Sequence, residues 1–271
     1  MSTQKRKSDN ITLSTLNRIR RDGQRFACLT AYDACFAGLL NDAGIEVILI
    51  GDSLGMVLQG HDNTLPVTMT DMVYHVQCVK RGNRNAFLMA DMPFMSYSSE
   101  KETLENAAAL MRAGAEMVKL EGGSWLASST QLLAERGIPV CVHMGLTPQS
   151  INRIGGYLVQ GREQAEADAI LRDARRLQEA GASILLLECV PAALAKTITE
   201  QLDIPVIGIG AGPDTTGQVL VLHDLLGVSP ITPKFVKNFL ADSDAGIPGA
   251  LSAYATAVKS GTFPGPEHCF K

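Results

Sequence analysis

Short apolar runs alternate with longer stretches of helical periodicity along almost the whole chain. Most of the runs are continuous and rich in Val, Ile and Leu, which is typical of strands covered on both faces. Eight strands are predicted in this way, at residues 26–31, 47–51, 86–90, 117–120, 139–143, 184–187, 205–209 and 219–223. Regular alternation of strands and helices predicts a parallel sheet in an α/β protein.

A parallel sheet of eight βα repeats closes most simply into a single (β/α)8 barrel of the TIM type. The competing arrangement, a doubly wound open sheet, normally has a Gly-rich turn after its first strand. Here that turn has the sequence Thr30-Ala31-Tyr32-Asp33, without glycine. The barrel is therefore the predicted fold.

Several segments lie outside the predicted repeats. Residues 1–10 are predicted to form a flexible tail, and residues 12–22 a short helix that caps the barrel floor. Residues 233–271 are predicted to form a C-terminal helical extension, with helices at 233–240 and 248–260. The connections at 53–67 and 149–161 are longer than usual and resemble lids. Nothing marks a second domain, so residues 1–271 are predicted to form one barrel domain.

Composition narrows the class of protein. The chain has 271 residues, a formal net charge of −4 and 46% hydrophobic residues, values of a globular rather than a disordered protein. Mild acidity argues against a nucleic-acid partner, and no apolar run reaches the ~18 residues that a membrane span needs. The six cysteines have no zinc-site spacing, and the N-terminus does not resemble a signal peptide. We therefore predict a cytoplasmic protein with reduced thiols that acts on small molecules.

Charged side chains follow the predicted strands at the end where (β/α)8 barrels form their active sites. Asp52, Asp91, Glu121 and Glu188 come directly after the second, third, fourth and sixth strands, and His143 ends the fifth. Four carboxylates in one bowl raise one another's pKa unless a cation lies among them.

Three of these acids, Asp52, Asp91 and Glu121, follow consecutive strands and could converge on one divalent ion. Ligands that are all oxygen atoms favour Mg²⁺ or Mn²⁺ over zinc. The alternative is that each acid only caps the following helix, for which Asp is a common residue and Glu a poor one. The three acids together favour a metal site.

Lys119 lies two residues before Glu121, so both side chains are expected to point into the barrel. A buried lysine requires an anionic partner. A substrate carboxylate and a neighbouring acidic side chain would both be suitable, and the sequence does not decide between them.

Glu188 ends the most apolar strand, where desolvation is expected to raise its pKa toward that of a useful general base. A hydrogen bond to the backbone at the barrel rim is the alternative. His143 is a candidate second acid or base, or a hydrogen-bond donor that orients another group. A structural histidine with satisfied hydrogen bonds is the simpler interpretation of His143.

A metal, a carboxylate base and an interior lysine suit the chemistry of 2-oxo acids. The metal can bind the keto oxygen and one carboxylate oxygen, and it stabilises the enolate that forms when a base removes the adjacent proton. The residues therefore predict a metal-dependent, enolate-forming lyase or an aldolase-type transferase.

Long motifs occur in order within residues 26–270. They are GDSLG (51–55), QGHD (59–62), TLPVT (64–68), ADMPFM (90–95), KLEGG (119–123), HMGLTPQ (143–149), LECVP (187–191) and IGIGAG (207–212). Together they resemble the ketopantoate hydroxymethyltransferase family.

The resemblance implies a role for each matching residue. It implies metal binding by Asp52, Asp91 and Glu121, substrate binding by Asp52, Ser53, Asp91 and Lys119, and Glu188 as the catalytic base. The reaction implied is transfer of a hydroxymethyl unit from 5,10-methylenetetrahydrofolate to 3-methyl-2-oxobutanoate, which gives 2-dehydropantoate for pantothenate and coenzyme A. The resemblance also implies a homodecamer of barrel subunits.

Two other hypotheses fit the same residues. A metal-dependent lyase or mutase of the phosphoenolpyruvate mutase or isocitrate lyase type would act on similar acids, but such a lyase carries a reactive cysteine-containing loop that has no counterpart here. A barrel that only binds a metabolite would be expected to lack one or more of the acids, and all of them are present.

Overall fold

The computed structural model describes residues 10–271, so residues 1–9 of the predicted tail lie outside the described residues. Eight parallel strands hydrogen-bond in chain order and close into a barrel, because β1 pairs with β8 as well as with β2. The strands are β1 (Phe26–Thr30), β2 (Val47–Ile50), β3 (Phe87–Asp91), β4 (Met117–Glu121), β5 (Val140–Gly145), β6 (Ile184–Glu188), β7 (Val206–Ile209) and β8 (Gly217–Leu220). The predicted (β/α)8 barrel is confirmed.

Helices connect the strands, and others precede β1 and follow β8. They are α1 (Leu13–Arg21), α2 (Ala34–Asp42), α3 (Leu54–Val57), α4 (Met69–Gly82), α5 (Glu100–Ala113), α6 (Ala127–Ala134), α7 (Ile151–Ile154), α8 (Gln164–Glu179), α9 (Ala192–Gln201), α10 (Leu222–Leu225) and α11 (Gly246–Ser260). Short 3-10 turns occur at Ser124–Leu126, Pro148–Ser150 and Pro266–His268. No helix within residues 10–271 is long and apolar enough to cross a membrane.

The two faces of the strands pack into two separate apolar clusters. One cluster fills the barrel interior and includes Phe26, Met89, Met117 and Leu186. It also includes Leu16 of α1, so the predicted capping helix does pack against the interior. The other cluster lies between the outward strand faces and the helices. Burial of both faces explains why the strand segments are continuous apolar runs.

The barrel closes where the first strand meets the last. Phe26 of β1 pairs with Gly217 of β8, and the register continues to the pair of Leu29 and Leu220. The hydroxyl of Tyr254, in α11, lies 2.9 Å from the carbonyl oxygens of both Cys28 and Gln218. Helix α11 therefore ties the two strands together across this seam.

The position of β8 was predicted wrongly. The strand spans Gly217–Leu220 rather than 219–223, and His223 lies in α10. Glycine begins the strand because a side chain at Gly217 would meet the ring of Phe26, 2.6 Å from the ideal Cβ position. Val221 precedes α10 and Leu222 begins it, so the apolar residues after Leu220 lie outside the sheet.

The helix predicted at 233–240 is also wrong, because this segment forms turns. The side-chain oxygen of Asn238 accepts hydrogen bonds from the backbone N–H groups of Leu240 and Ala241, each at 3.0 Å. The N–H of Phe239 donates to the carbonyl of Leu225, outside the segment. These bonds replace the i to i−4 bonds of a helix. The helix predicted at 248–260 corresponds to α11. The two long connections contain α3 and α7.

All six cysteines are free thiols. Cys28, Cys141 and Cys189 are buried, Cys78 and Cys269 are half-buried, and Cys35 is exposed. Cys35 lies on α2, outside the apolar strands.

Gly82 ends α4 where this helix packs against the beginning of α2. A Cβ at this position would lie 2.6 Å from the Cα of Ala34, a backbone atom that has no room to move. We expect Gly82→Ala to lower the free energy of unfolding by about 1–3 kcal/mol through overpacking, as measured by chemical denaturation. Gly38→Ala in α2 is the matched control, since its Cβ has nothing within 4 Å. An equal effect of both substitutions would contradict the packing argument.

Candidate active site

Each of three strands ends its inward-facing row of side chains with a carboxylate. Asp91, Glu121 and Glu188 are the last residues of β3, β4 and β6, and so belong to the strands rather than following them. His143 lies within β5 directly opposite Glu121 in the register. Asp52 follows β2. The structure thus brings the five predicted residues to the carboxyl end of the barrel.

Lys119 lies among these acids, and its ammonium group contacts several of them. The Nζ atom is 2.9 Å from Asp91 Oδ1 and 3.4 Å from Glu121 Oε1, and the Lys119 and Asp91 side chains are each 3% exposed. Burial lowers the pKa of Lys119, but the carboxylates of Asp91, Glu121 and Asp52 outweigh burial and raise this pKa well above its ordinary value. Lys119 is therefore a cation, and in this structure its partners are neighbouring acids.

Glu121 is held by hydrogen bonds on both carboxylate oxygens. Its Oε1 accepts from His143 Nδ1 at 3.0 Å, and its Oε2 accepts from the backbone N–H of Gln149 at 2.9 Å. Burial raises the pKa of Glu121, but the charges of His143 and Lys119 and these hydrogen bonds lower it to about 2. Glu121 is therefore a fixed anion.

His143 links Glu121 to Glu188. Burial and the charge of Lys119 lower the pKa of His143, but the two carboxylates raise it to about 9. Because Nδ1 donates to Glu121, the 3.2 Å approach of Lys119 Nζ to the same nitrogen is a contact between two donors. The other ring nitrogen, Nε2, lies 3.3 Å from Glu188 Oε2 without hydrogen-bond geometry. His143 thus lies between the two acids, with one ring nitrogen facing each carboxylate.

Asp52 and Asp91 form the other side of the site. The backbone N–H of Asp52 donates to Asp91 Oδ2 at 3.0 Å, and Asp52 Oδ2 accepts from Gln149 Nε2 at 2.9 Å. Burial is the main cause that raises the pKa of Asp52 well above its ordinary value, and the charges of Asp91 and Glu121 add to it. A cation beside Asp52 would favour its ionised form.

The donor atoms of Asp52 and Asp91 fit a hard divalent ion. Asp91 Oδ1 is buried and contacts Lys119 Nζ at 2.9 Å, whereas Asp52 accepts a side-chain hydrogen bond on Oδ2 alone among the described residues, which leaves its Oδ1 available. Mg²⁺ typically takes one or two carboxylates together with waters. Among residues 10–271, however, no three His, Cys, Asp or Glu side chains are grouped to hold a metal ion. Glu121 as a third ligand stays a prediction, because both of its oxygens accept other hydrogen bonds.

Glu188 and Ser53 lie at the margins of the cluster. The Glu188 side chain is 14% exposed, more than the side chains of Asp91 and Glu121, so it is the acid best placed to meet an incoming molecule. The Ser53 hydroxyl lies 2.9 Å from the hydroxyl of Tyr32. Among the described residues, the hydroxyl of Ser53 is thus held by Tyr32 rather than by Lys119 or one of the acids.

Two buried residues of the site, Gln149 and Tyr97, escaped prediction as functional residues. Gln149 lies in the 3-10 turn after β5, and the Tyr97 hydroxyl donates to its side-chain oxygen at 2.6 Å. Neither lies at a strand end. Gln149 falls within the motif at 143–149, which was the only signal for it in the sequence.

Residues 10–266 match the family model described as ketopantoate hydroxymethyltransferase. The chain belongs to this family. A relative from Marinobacter nauticus, named 3-methyl-2-oxobutanoate hydroxymethyltransferase, is 60% identical over 262 residues, which cover 96% of this chain and 99% of that protein. The family predicted from the motifs is confirmed, and so is the prediction of a transferase.

Solved structures show the same fold at much lower identity. A putative phosphonomutase from Burkholderia cenocepacia J2315 superposes with a TM-score of 0.65 at 16% identity, covering 80% of this chain and 96% of that one. Phosphonopyruvate hydrolase, in a complex with oxalate and Mg²⁺, gives a TM-score of 0.59 at 14% identity over 78% of this chain and 80% of that one. Identities this low show only that these proteins and this chain share the same fold.

Proposed function

We propose that this chain transfers a hydroxymethyl unit to 3-methyl-2-oxobutanoate and forms 2-dehydropantoate in pantothenate biosynthesis. The observation that carries the proposal is the cluster of Asp52, Asp91, Lys119, His143 and Glu188 at one end of the barrel, in a chain 60% identical to a relative named for this activity. The lyase or mutase alternative has only the shared fold in its favour.

The proposed one-carbon donor is 5,10-methylenetetrahydrofolate, which the family resemblance implies. This donor supplies the methylene carbon, and a water molecule supplies the hydroxyl oxygen of the product. Two bonds form, from C3 of the oxo acid to the methylene carbon and from this carbon to the water oxygen, and the two bonds from this carbon to the folate nitrogens break. The C3 proton and one proton of the water end on these nitrogens.

The proposed metal is Mg²⁺ or another hard divalent ion such as Mn²⁺. Asp52 and Asp91 would hold it through carboxylate oxygens, with Glu121 as the third predicted ligand. When bound, the ion supplies a Lewis acid that polarises the keto group of a 2-oxo acid. Phosphonopyruvate hydrolase has been seen with oxalate and Mg²⁺, which supports the view that this fold can hold a small carboxylate and a metal together.

The protein side chains would bind the substrate, remove its proton and orient the base. Lys119, a buried cation, and the Ser53 hydroxyl would bind the substrate carboxylate. Glu188 would remove the C3 proton, and the electron pair of the C–H bond would make C3 the nucleophile. His143 Nε2, 3.3 Å from Glu188 Oε2, would orient this carboxylate.

Proton NMR of 3-methyl-2-oxobutanoate in D2O tests this reaction. With the protein and Mg²⁺, the C3 proton signal is expected to disappear, and adding 5,10-methylenetetrahydrofolate is expected to yield 2-dehydropantoate. The control contains EDTA in place of Mg²⁺. If neither exchange nor product occurs with metal and folate present, the substrate assignment is wrong.

We also propose that the chain works in the cytoplasm as a homo-oligomer, for which the family resemblance implies a decamer. Tyr74, Trp125, Val228 and Ile231 are all strongly exposed on the single chain, and a subunit interface that covered them would remove apolar surface from water. Sedimentation equilibrium of the purified protein measures the number of subunits directly.

A further inference from the structure

Gln149 touches two of the three predicted metal-binding acids, through different parts of the residue. Its side-chain Nε2 donates to Asp52 Oδ2 at 2.9 Å, and its backbone N–H donates to Glu121 Oε2 at 2.9 Å. The residue follows β5 in the 3-10 turn Pro148–Ser150 and is buried. Nothing in the family resemblance gave Gln149 a role.

The orientation of the Gln149 amide is fixed by its neighbours. The Tyr97 hydroxyl donates to Oε1 at 2.6 Å. The second N–H of the amide donates to the carbonyl of Met92 at 3.0 Å. Turning the amide over would place its oxygen against the Asp52 carboxylate and the Met92 carbonyl, two acceptors that cannot donate. The amide therefore always presents an N–H to Asp52.

We propose that Gln149 is a positioning residue that holds the Asp52 carboxylate in the orientation needed for metal and substrate binding. The Gln149 Nε2–H group binds Oδ2 of Asp52. The other oxygen of Asp52, Oδ1, accepts no hydrogen bond from any residue in the range 10–271 and stays free for a ligand. Partners that orient a ligating carboxylate typically contribute about 10–100-fold to metal affinity. The inference rests on the proposed role of Asp52 as a metal ligand.

Metal binding without substrate tests the inference separately from catalysis. Free Mn²⁺ has an electron paramagnetic resonance signal that is lost on binding, so titration of the full chain gives Kd. We expect Gln149→Met, which keeps the length of the side chain and removes both polar groups, to raise Kd at least about 10-fold. The hydrogen bond to Glu121 should persist in this variant, because it comes from the backbone.

Gln218→Met is the matched control. Gln218 is another buried glutamine whose Nε2 makes two hydrogen bonds, to the Gly212 carbonyl at 2.9 Å and to Thr215 Oγ1 at 2.8 Å. It contacts none of the acids, so its replacement should lower stability while the Mn²⁺ Kd stays within about 2-fold. A merely structural role of Gln149 predicts the same result for both variants.

Tyr97→Phe provides a second variant in case Gln149→Met does not fold. Loss of the hydroxyl removes the hydrogen-bond partner of Gln149 Oε1 and holds the amide less firmly, so Kd is expected to rise, though by less than in Gln149→Met. An unchanged Kd in the folded variants overturns the inference but leaves the proposed function standing. If the unaltered chain binds no Mn²⁺, the metal assignment itself is wrong, and the inference is overturned together with it.

Discussion

Replacing Glu188 with glutamine is expected to lower kcat about 10³-fold, the contribution typical of a positioned general base. Glutamine has the size of glutamate but cannot accept the C3 proton. The KM for 3-methyl-2-oxobutanoate should change little, because the substitution leaves the proposed substrate-binding residues Lys119 and Asp91 unaltered. Their side chains are each 3% exposed, whereas the Glu188 side chain is 14% exposed. A fall in kcat with an unchanged KM indicates loss of an interaction that acts in the transition state.

The measurement combines steady-state kinetics with the exchange of the C3 proton in D2O. Glu188→Gln should lose exchange and product formation to the same extent. Glu116→Gln is the control, since Glu116 precedes β4 at the opposite end of the barrel and accepts a hydrogen bond from the backbone of Leu88. Exchange at the unaltered rate in Glu188→Gln would show that another group is the base.

Replacing Asp91 with asparagine is expected to lower the free energy of unfolding of the metal-free protein by about 3 kcal/mol. Asp91 Oδ1 lies 2.9 Å from Lys119 Nζ, and both side chains are almost completely buried. Removing one partner of a buried ion pair leaves the other charge without compensation. Here Glu121, 3.4 Å from the same nitrogen, compensates in part, so the expected loss lies at the low end of the usual range.

Chemical denaturation of the Asp91→Asn variant in EDTA measures this loss. The control is Glu105→Gln, which breaks the exposed pair of Glu105 with Lys101 at 3.9 Å. An exposed pair of this kind contributes no more than about 1 kcal/mol. Equal stability losses in the two variants would contradict the assignment of a strong buried pair between Asp91 and Lys119.

The sequence predicted most strands because burial on both faces leaves a simple pattern of continuous apolar residues. It failed at β8, whose first residues, Gly217 and Gln218, have neither the apolar nor the β-branched character of a strand. Their identity is set by tertiary contacts, the ring of Phe26 beside Gly217 and the loop carbonyl of Gly212 that accepts from Gln218. Phe26 is distant from Gly217 in the sequence, and the contact between Gln218 and Gly212 depends on the folded loop between them, so a local sequence pattern does not predict either contact.

The sequence predicted which residues belong to the site, but it did not predict which of their side chains contact one another. The period of two along β4 placed Lys119 and Glu121 on the same inward face, and the structure agrees. Which acid pairs with Lys119 depends on the register between β3 and β4, which the sequence does not state. Gln149 reaches Asp52 from a turn after β5, so its role depends on the closed barrel.

The seam between β1 and β8 also has a consequence for how the chain is made. Cys28 and Val219 pair across it, and Tyr254, which bonds to both strands, comes 226 positions after Cys28. At about 5–20 residues per second, the ribosome needs roughly 10–40 s to extend the chain from β1 to β8. Throughout that time the nascent sheet has an open edge on β1, the kind of edge that pairs with other chains. Closure of the barrel is therefore a late event in synthesis, because β8 is the last strand to be made.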